Sequence, residues 1–158
     1  MVEEIKHYLS KNGLKEIEEL LDSLNVERLV KIKECSSLVS HPNVIESESF
    51  LFRQEIAQIE KKIREIEQVL ENYELIKMPS KENRDIVFIG ATIVVEVDGE
   101  LDEFSLVDKL ETNPSLGRIS SECLVGRMLL GKKIGDIVKV QSAVETIYKI
   151  IKVEYREI

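Results

Sequence analysis

From Phe52 the apolar residues recur at Ile56, Ile59, Ile63, Ile66, Leu70 and Tyr73, in alternating steps of four and three. That spacing holds one stripe of a helix against a partner. The residues between, among them Glu60, Lys61, Arg64 and Glu67, are charged and leave no second stripe. Upstream, Leu14, Ile17, Leu21 and Leu24 share the rhythm, which resumes at Leu29, Ile32 and Leu38 after an irregular step between Asn25 and Arg28. Ser10 is placed to cap this first segment. Two such stripes joined by a short connection containing Pro42 bury each other as an antiparallel hairpin. Arms of about 25 residues predict a rod of roughly 35–40 Å.

The period changes after Met78-Pro79-Ser80-Lys81-Glu82-Asn83, where proline and a polar run close the heptads. Beyond it, residues 93–97 alternate into Asp98-Gly99, a favoured hairpin turn, and 103–107 return. Residues 121–130 read as a short helix with Gly131 as its stop. Residues 137–140 and 146–154 supply two more strands. The expected fold class is therefore α+β: a coiled-coil hairpin over 1–78, then an antiparallel sheet with one short helix over 79–158.

Composition narrows the function classes. The chain of 158 residues is 43% apolar and 33% charged, which suits an ordinary soluble protein. Its longest apolar runs fall far below the roughly 20 residues of a membrane span. Glu3, Glu4 and Lys6 interrupt any leader-like stretch. The net charge of −8 is shared by both halves, so any nucleic-acid contact has to be local. Cys35 and Cys123 stand alone, without metal-ligand spacing to His7 or His41, and fit a reducing, cytoplasmic setting.

Two stretches carry a resemblance. Gly117-Arg118-Ile119-Ser120 and Gly126-Arg127-Met128-Leu129-Leu130-Gly131-Lys132-Lys133-Ile134-Gly135-Asp136 look like the GKIS and ARALLGKKVGD stretches of the bacterial transcript-cleavage elongation factors GreA and GreB. Leu9-Ser10-Lys11-Asn12-Gly13-Leu14 is similar to that family's start of its first helix. The resemblance implies a second domain that is FKBP-like and docks on RNA polymerase at the rim of the secondary channel. It also implies a hairpin tip near the polymerase active site, where tip carboxylates assist a magnesium ion during cleavage of backtracked RNA. The chain would be a monomeric accessory factor with no stably bound cofactor and no membrane partner, acting on the polymerase's own nuclease activity and lying close to the RNA 3′ end.

Carried over residue by residue, the family's tip motif HGDLSENAEY falls on His41 to Phe50. Glu46 matches the motif's glutamate, whereas Asn43 stands in place of its aspartate. An amide offers magnesium a neutral oxygen without the negative charge. Glu48 is the nearest further carboxylate, some 200° around a helix from Glu46. The same residues also read as a capping pair, with Asn43 at the cap and Glu46 in the first turn. The loop Asn113-Pro114-Ser115 falls where the family has a polymerase-touching acidic-proline loop. Lys31, Lys33 and Arg53 are the basic candidates to face RNA, or simply a solvated helix face. Competing functions are a non-cleaving Gre-like inhibitor of the polymerase, a prolyl isomerase or chaperone, and a coiled-coil adaptor.

Overall fold

The computed structural model describes residues 6–39 and 46–156, without the side chains of Val39, Glu46 and Ser47. Contacts divide the chain into two compact units. One is Leu14–Tyr73; the other joins His7–Gly13 to the chain from Glu74 onward. The second unit therefore takes in a short N-terminal segment that a division at residue 78 assigns elsewhere.

The first unit is a pair of helices, α1 (Lys11–Val39) and α2 (Glu46–Glu71). Leu24, Ile59 and Ile63 form its buried centre, with Leu21 and Ile66 packed beside them. Lower residues of α1 meet higher residues of α2, and farther along α1 the Lys31 ammonium reaches Glu55 at 2.8 Å. The helices are thus antiparallel, as the stripes predict. In the outer half of α1 the sequence expectation holds at Leu38 and fails at Leu29 and Ile32. There the half-buried positions are Arg28, Lys31, Cys35 and Leu38, which continue the step of Ile17, Leu21 and Leu24 without a break. Leu29 is 62% exposed and Ile32 40%. An unbroken helix keeps its phase whatever residues occupy the seam, so apolar letters one place out of phase end up outside.

Tyr73 also leaves the expected helical stripe. It begins β2 (Tyr73–Leu75), which pairs with β1 (His7–Leu9) in a small two-stranded sheet. Leu9 is fully buried, and the Ile76 amide donates to its carbonyl at 2.8 Å.

Five strands make the main sheet: β3 (Thr92–Val97), β4 (Glu100–Val107), β5 (Arg118–Ser120), β6 (Ile137–Gln141) and β7 (Glu145–Glu154), in the order β5-β4-β3-β7-β6. Asp98 and Gly99 join β3 to β4 with φ of 52° and 84°, the left-handed pair that a tight hairpin requires and that Asp-Gly supplies at low cost. The sheet is mixed rather than wholly antiparallel, because β5 lies parallel to β4. The chain between them crosses over through two 3-10 turns, Lys109–Glu111 and Pro114–Leu116. The register of β7 against β3 shifts between Val94 and Val95.

Strict alternation sets the buried face. Val138 and Val140 point inward from β6, while Ile137, Lys139 and Gln141 are exposed. With Val87, Ala91, Ile93, Val95, Leu106, Ile150 and Val153 they form one core. Over it lies α3 (Leu124–Leu129), shorter than the expected 121–130, contributing the fully buried Leu129. The Cys123 Sγ caps it by accepting from the Gly126 amide at 3.2 Å.

Tyr155 ties the end of the sheet to the segment before β3. Its hydroxyl accepts from the Phe88 amide at 2.9 Å and donates to the Ile86 carbonyl. Burial raises its pKa above 10.0, partly offset by the Phe88 amide. The folded state therefore holds the phenol proton more tightly than the unfolded chain. Stability is fully present below pH 10 and falls as pH rises through the folded pKa. Tyr155→Phe is expected to cost about 1 kcal/mol at neutral pH and to flatten this alkaline loss, as read by urea denaturation across pH 8–11.

Candidate functional site

Three groups of residues present chemistry to solvent or to the chain's own folded segments. The first is the outer end of the helix pair. Helix α2 opens at Glu46, and Glu48 is exposed on its first turn. Asn43 lies outside the described residues, as does the Glu46 side chain, so the capping pair and the donor positions are not placed. Phe50 and Leu51 follow with 59% and 57% of their surface exposed.

Of the three basic candidates, Lys33 and Arg53 are exposed. Lys31 is engaged within the hairpin. It pairs with Glu55 at 2.8 Å and Glu34 at 3.8 Å, and its ammonium sits 5.2 Å from the Phe52 ring centroid. The Glu55 carboxylate raises its pKa above the ordinary lysine value.

The second group is the loop between β4 and β5. Asn113 and Arg118 exchange backbone hydrogen bonds, each 3.0 Å, and the Leu116 amide also donates to the Asn113 carbonyl at 3.0 Å. These bonds pinch the loop at its base and hold Asn113, Pro114, Ser115 and Leu116 as an exposed cap. Leu116 is 64% exposed, an apolar tip flanked by an amide and a hydroxyl.

The third group was not anticipated from sequence: two buried carboxylates that hold the N-terminal segment in the second unit. Asp108 is 5% exposed and accepts from the His7 Nδ1–H, at 3.3 Å to each oxygen. It also accepts from the Tyr8 amide at 3.2 Å and the Leu110 amide at 3.1 Å. Glu111, 6% exposed, accepts from the Ser10 amide at 2.9 Å and from the Ser10 hydroxyl. The Ser10 hydroxyl oxygen in turn accepts from the Gly13 amide at 2.9 Å, the cap expected for α1. Gly13 leaves room for this carboxylate, which an added Cβ would displace from Ser10. The only local hint was Asp108 ahead of a polar turn, where it accepts from the Leu110 amide; its other partners, His7 and Tyr8, lie about 100 residues away.

Among the described residues no group of three or more His, Cys, Asp or Glu side chains is placed to hold a metal, and no helix is long and apolar enough to cross a membrane. Both cysteines are free thiols. The aromatic residues of the sheet are used in packing. Phe104 and Tyr148 meet edge to face at 6.5 Å against the core. A shallow cavity of about 220 Å³ is bordered instead by Tyr8, Leu75, Ile76, Pro79 and Phe88.

Comparison with known proteins settles the family. Residues 81–155 match the family described as "Transcription elongation factor, GreA/GreB, C-term". Transcription elongation factor GreA of Halalkalibacterium halodurans is 34% identical over 146 residues, covering 90% of this chain and 92% of that protein. The chain belongs to the GreA/GreB family. GreA of Thermomicrobium roseum is 43% identical over 99 residues, a match spanning 62% of this chain and 64% of that relative. A GreA factor homolog of Thermus thermophilus superposes with a TM-score of 0.45 at 19% identity, over 95% of this chain and 99% of that one. The family match falls on the sheet, α3 and the Asn113–Pro114 loop, the part of the chain where the sequence resemblance is densest.

Proposed function

We propose that this GreA/GreB-family protein binds RNA polymerase at its secondary channel and brings the end of its helix pair close to the active site, where it assists cleavage of backtracked RNA. The observation that carries the reading is the antiparallel pair itself. Its 29-residue α1 amounts to a rod of ~40 Å, and α2 opens on Glu46 with Glu48 exposed beside it. The exposed Asn113-Pro114-Ser115 cap is the docking surface in this reading.

The donor set suits such a role and no larger one. Carboxylate and amide oxygens are the ligands a hard divalent cation takes, and two carboxylates with one amide are too few to build a site without a partner's ligands. These side chains would help hold a magnesium ion of the polymerase, which would supply charge neutralisation and an activated water. Glu46 is the principal tip carboxylate, Asn43 contributes a neutral oxygen, and Glu48 is the reserve. Cytoplasmic location follows from this partnership. The protein is an accessory factor, and the bonds that break belong to the polymerase's substrate.

The second reading, a channel-occupying regulator that does not promote cleavage, is favoured by one feature: Asn43 in place of the family motif's aspartate. One experiment separates them. On backtracked elongation complexes over a magnesium titration, wild type is expected to shorten the RNA weakly, Asn43→Asp more strongly, and Glu46→Gln not at all, with polymerase binding unchanged. Tight binding with no shortened RNA in either wild type or Asn43→Asp selects the regulator. Absence of binding rejects both readings.

A further inference from the structure

We propose that the outer half of α1 has two packing registers on α2, the observed one and a second shifted by a single residue, in which Leu29 and Ile32 replace Arg28 and Lys31 in the seam. The sequence carries both patterns. From Leu24 onward the observed seam holds Arg28, Lys31 and Cys35, while Leu29 and Ile32 stand one place out of phase. A guanidinium and an ammonium at seam positions, with a leucine and an isoleucine turned to water, reverse the usual preference of these side chains.

Three observations point to the shift. The Arg28 Nε is buried with no hydrogen-bond partner among the described residues, so the observed register leaves a charged group incompletely satisfied. Ile32 already borders a cavity of about 350 Å³ that it shares with Cys35, Ser36 and Ile56, which gives it space to move toward α2. The Asn25 side-chain amide donates to the Leu21 carbonyl at 3.1 Å, the carbonyl that its own backbone amide would use in a regular helix. A π-bulge at Asn25 would insert one residue into that turn and advance every later residue by one place. The Asn25 side chain is positioned to satisfy the carbonyl that such a bulge leaves open.

Opposing the shift are the Lys31–Glu55 pair and the contact of Lys31 with Phe52. Both are partly exposed, and such contacts are weak locks. In the shifted register Arg28 and Lys31 move to solvent, Leu29 and Ile32 face α2, and Ser36 takes the place of Cys35, whose thiol turns outward.

Two measurements on the full chain test this. In the unmodified protein, NMR relaxation dispersion is expected to show microsecond-to-millisecond exchange at the amides of residues 25–32. The double variant Leu29→Gln/Ile32→Gln, altered where the observed register is solvated, is expected to remove it. With Cys123→Ser as background, the same double variant is expected to slow maleimide labelling of Cys35 by about threefold or more, because it withdraws the burial that favours the shifted state. Loosening of the hairpin would speed labelling, so slowing is specific to the register. Flat dispersion in the wild type, dispersion that persists in the variant, or labelling that is unchanged or faster overturns the proposal.

Discussion

Asp108→Ala is expected to lower the stability of the sheet unit by about 2–4 kcal/mol, because each buried donor left without its acceptor costs roughly 1–3 kcal/mol. The substitution deprives the His7 ring, the Tyr8 amide and the Leu110 amide of their common acceptor. His7 is 8% exposed and has no easy route to water. Asp108→Asn, which keeps shape and one acceptor oxygen, should recover part of the loss. Urea denaturation with the hydrogen exchange of the Leu9 and Ile76 amides reads both the size of the effect and its place. A loss below 1 kcal/mol would mean that β1 is held by strand pairing and Leu9 burial alone.

Ile63→Ala should cost about 2–5 kcal/mol in the helix pair, since a 4%-exposed isoleucine is replaced by a methyl group and a cavity. The centre around it is small, with Leu24 and Ile59 as its other buried members, so little else can close over the gap. The loss should appear in the amide exchange of Leu14–Tyr73 and leave the exchange of β3 and β7 nearly unchanged. Equal slowing or speeding in both units would show that they unfold together.

The heptad steps made the helix pair legible because a coiled seam is a one-dimensional pattern, and Asp98-Gly99 made the first hairpin legible because so few residues accept two left-handed conformations in a row. Leu29 and Ile32 lie outside the seam for a related reason. Apolar letters were followed where the structure follows helical phase. The sheet was expected to be antiparallel throughout, yet the three residues of β5 cannot announce their direction; that is set by the crossover through Pro114–Leu116. At the candidate site, the Asn113-Pro114 loop was singled out by its resemblance to the family's loop, and the structure shows it exposed. Asp108 and Glu111 could not be singled out, because their meaning depends on amides a hundred residues earlier.

That separation bears on how the chain is made. The segment His7–Gly13 emerges from the ribosome before its acceptors Asp108 and Glu111, which follow roughly a hundred residues later, a delay of ~5–20 s at ordinary elongation rates. Helices α1 and α2 can pair during that interval, since their seam lies entirely within Leu14–Tyr73. The segment is therefore fixed long after it is synthesised, and a product stalled before Asp108 carries a formed helix pair whose leading strand has no partner carboxylates.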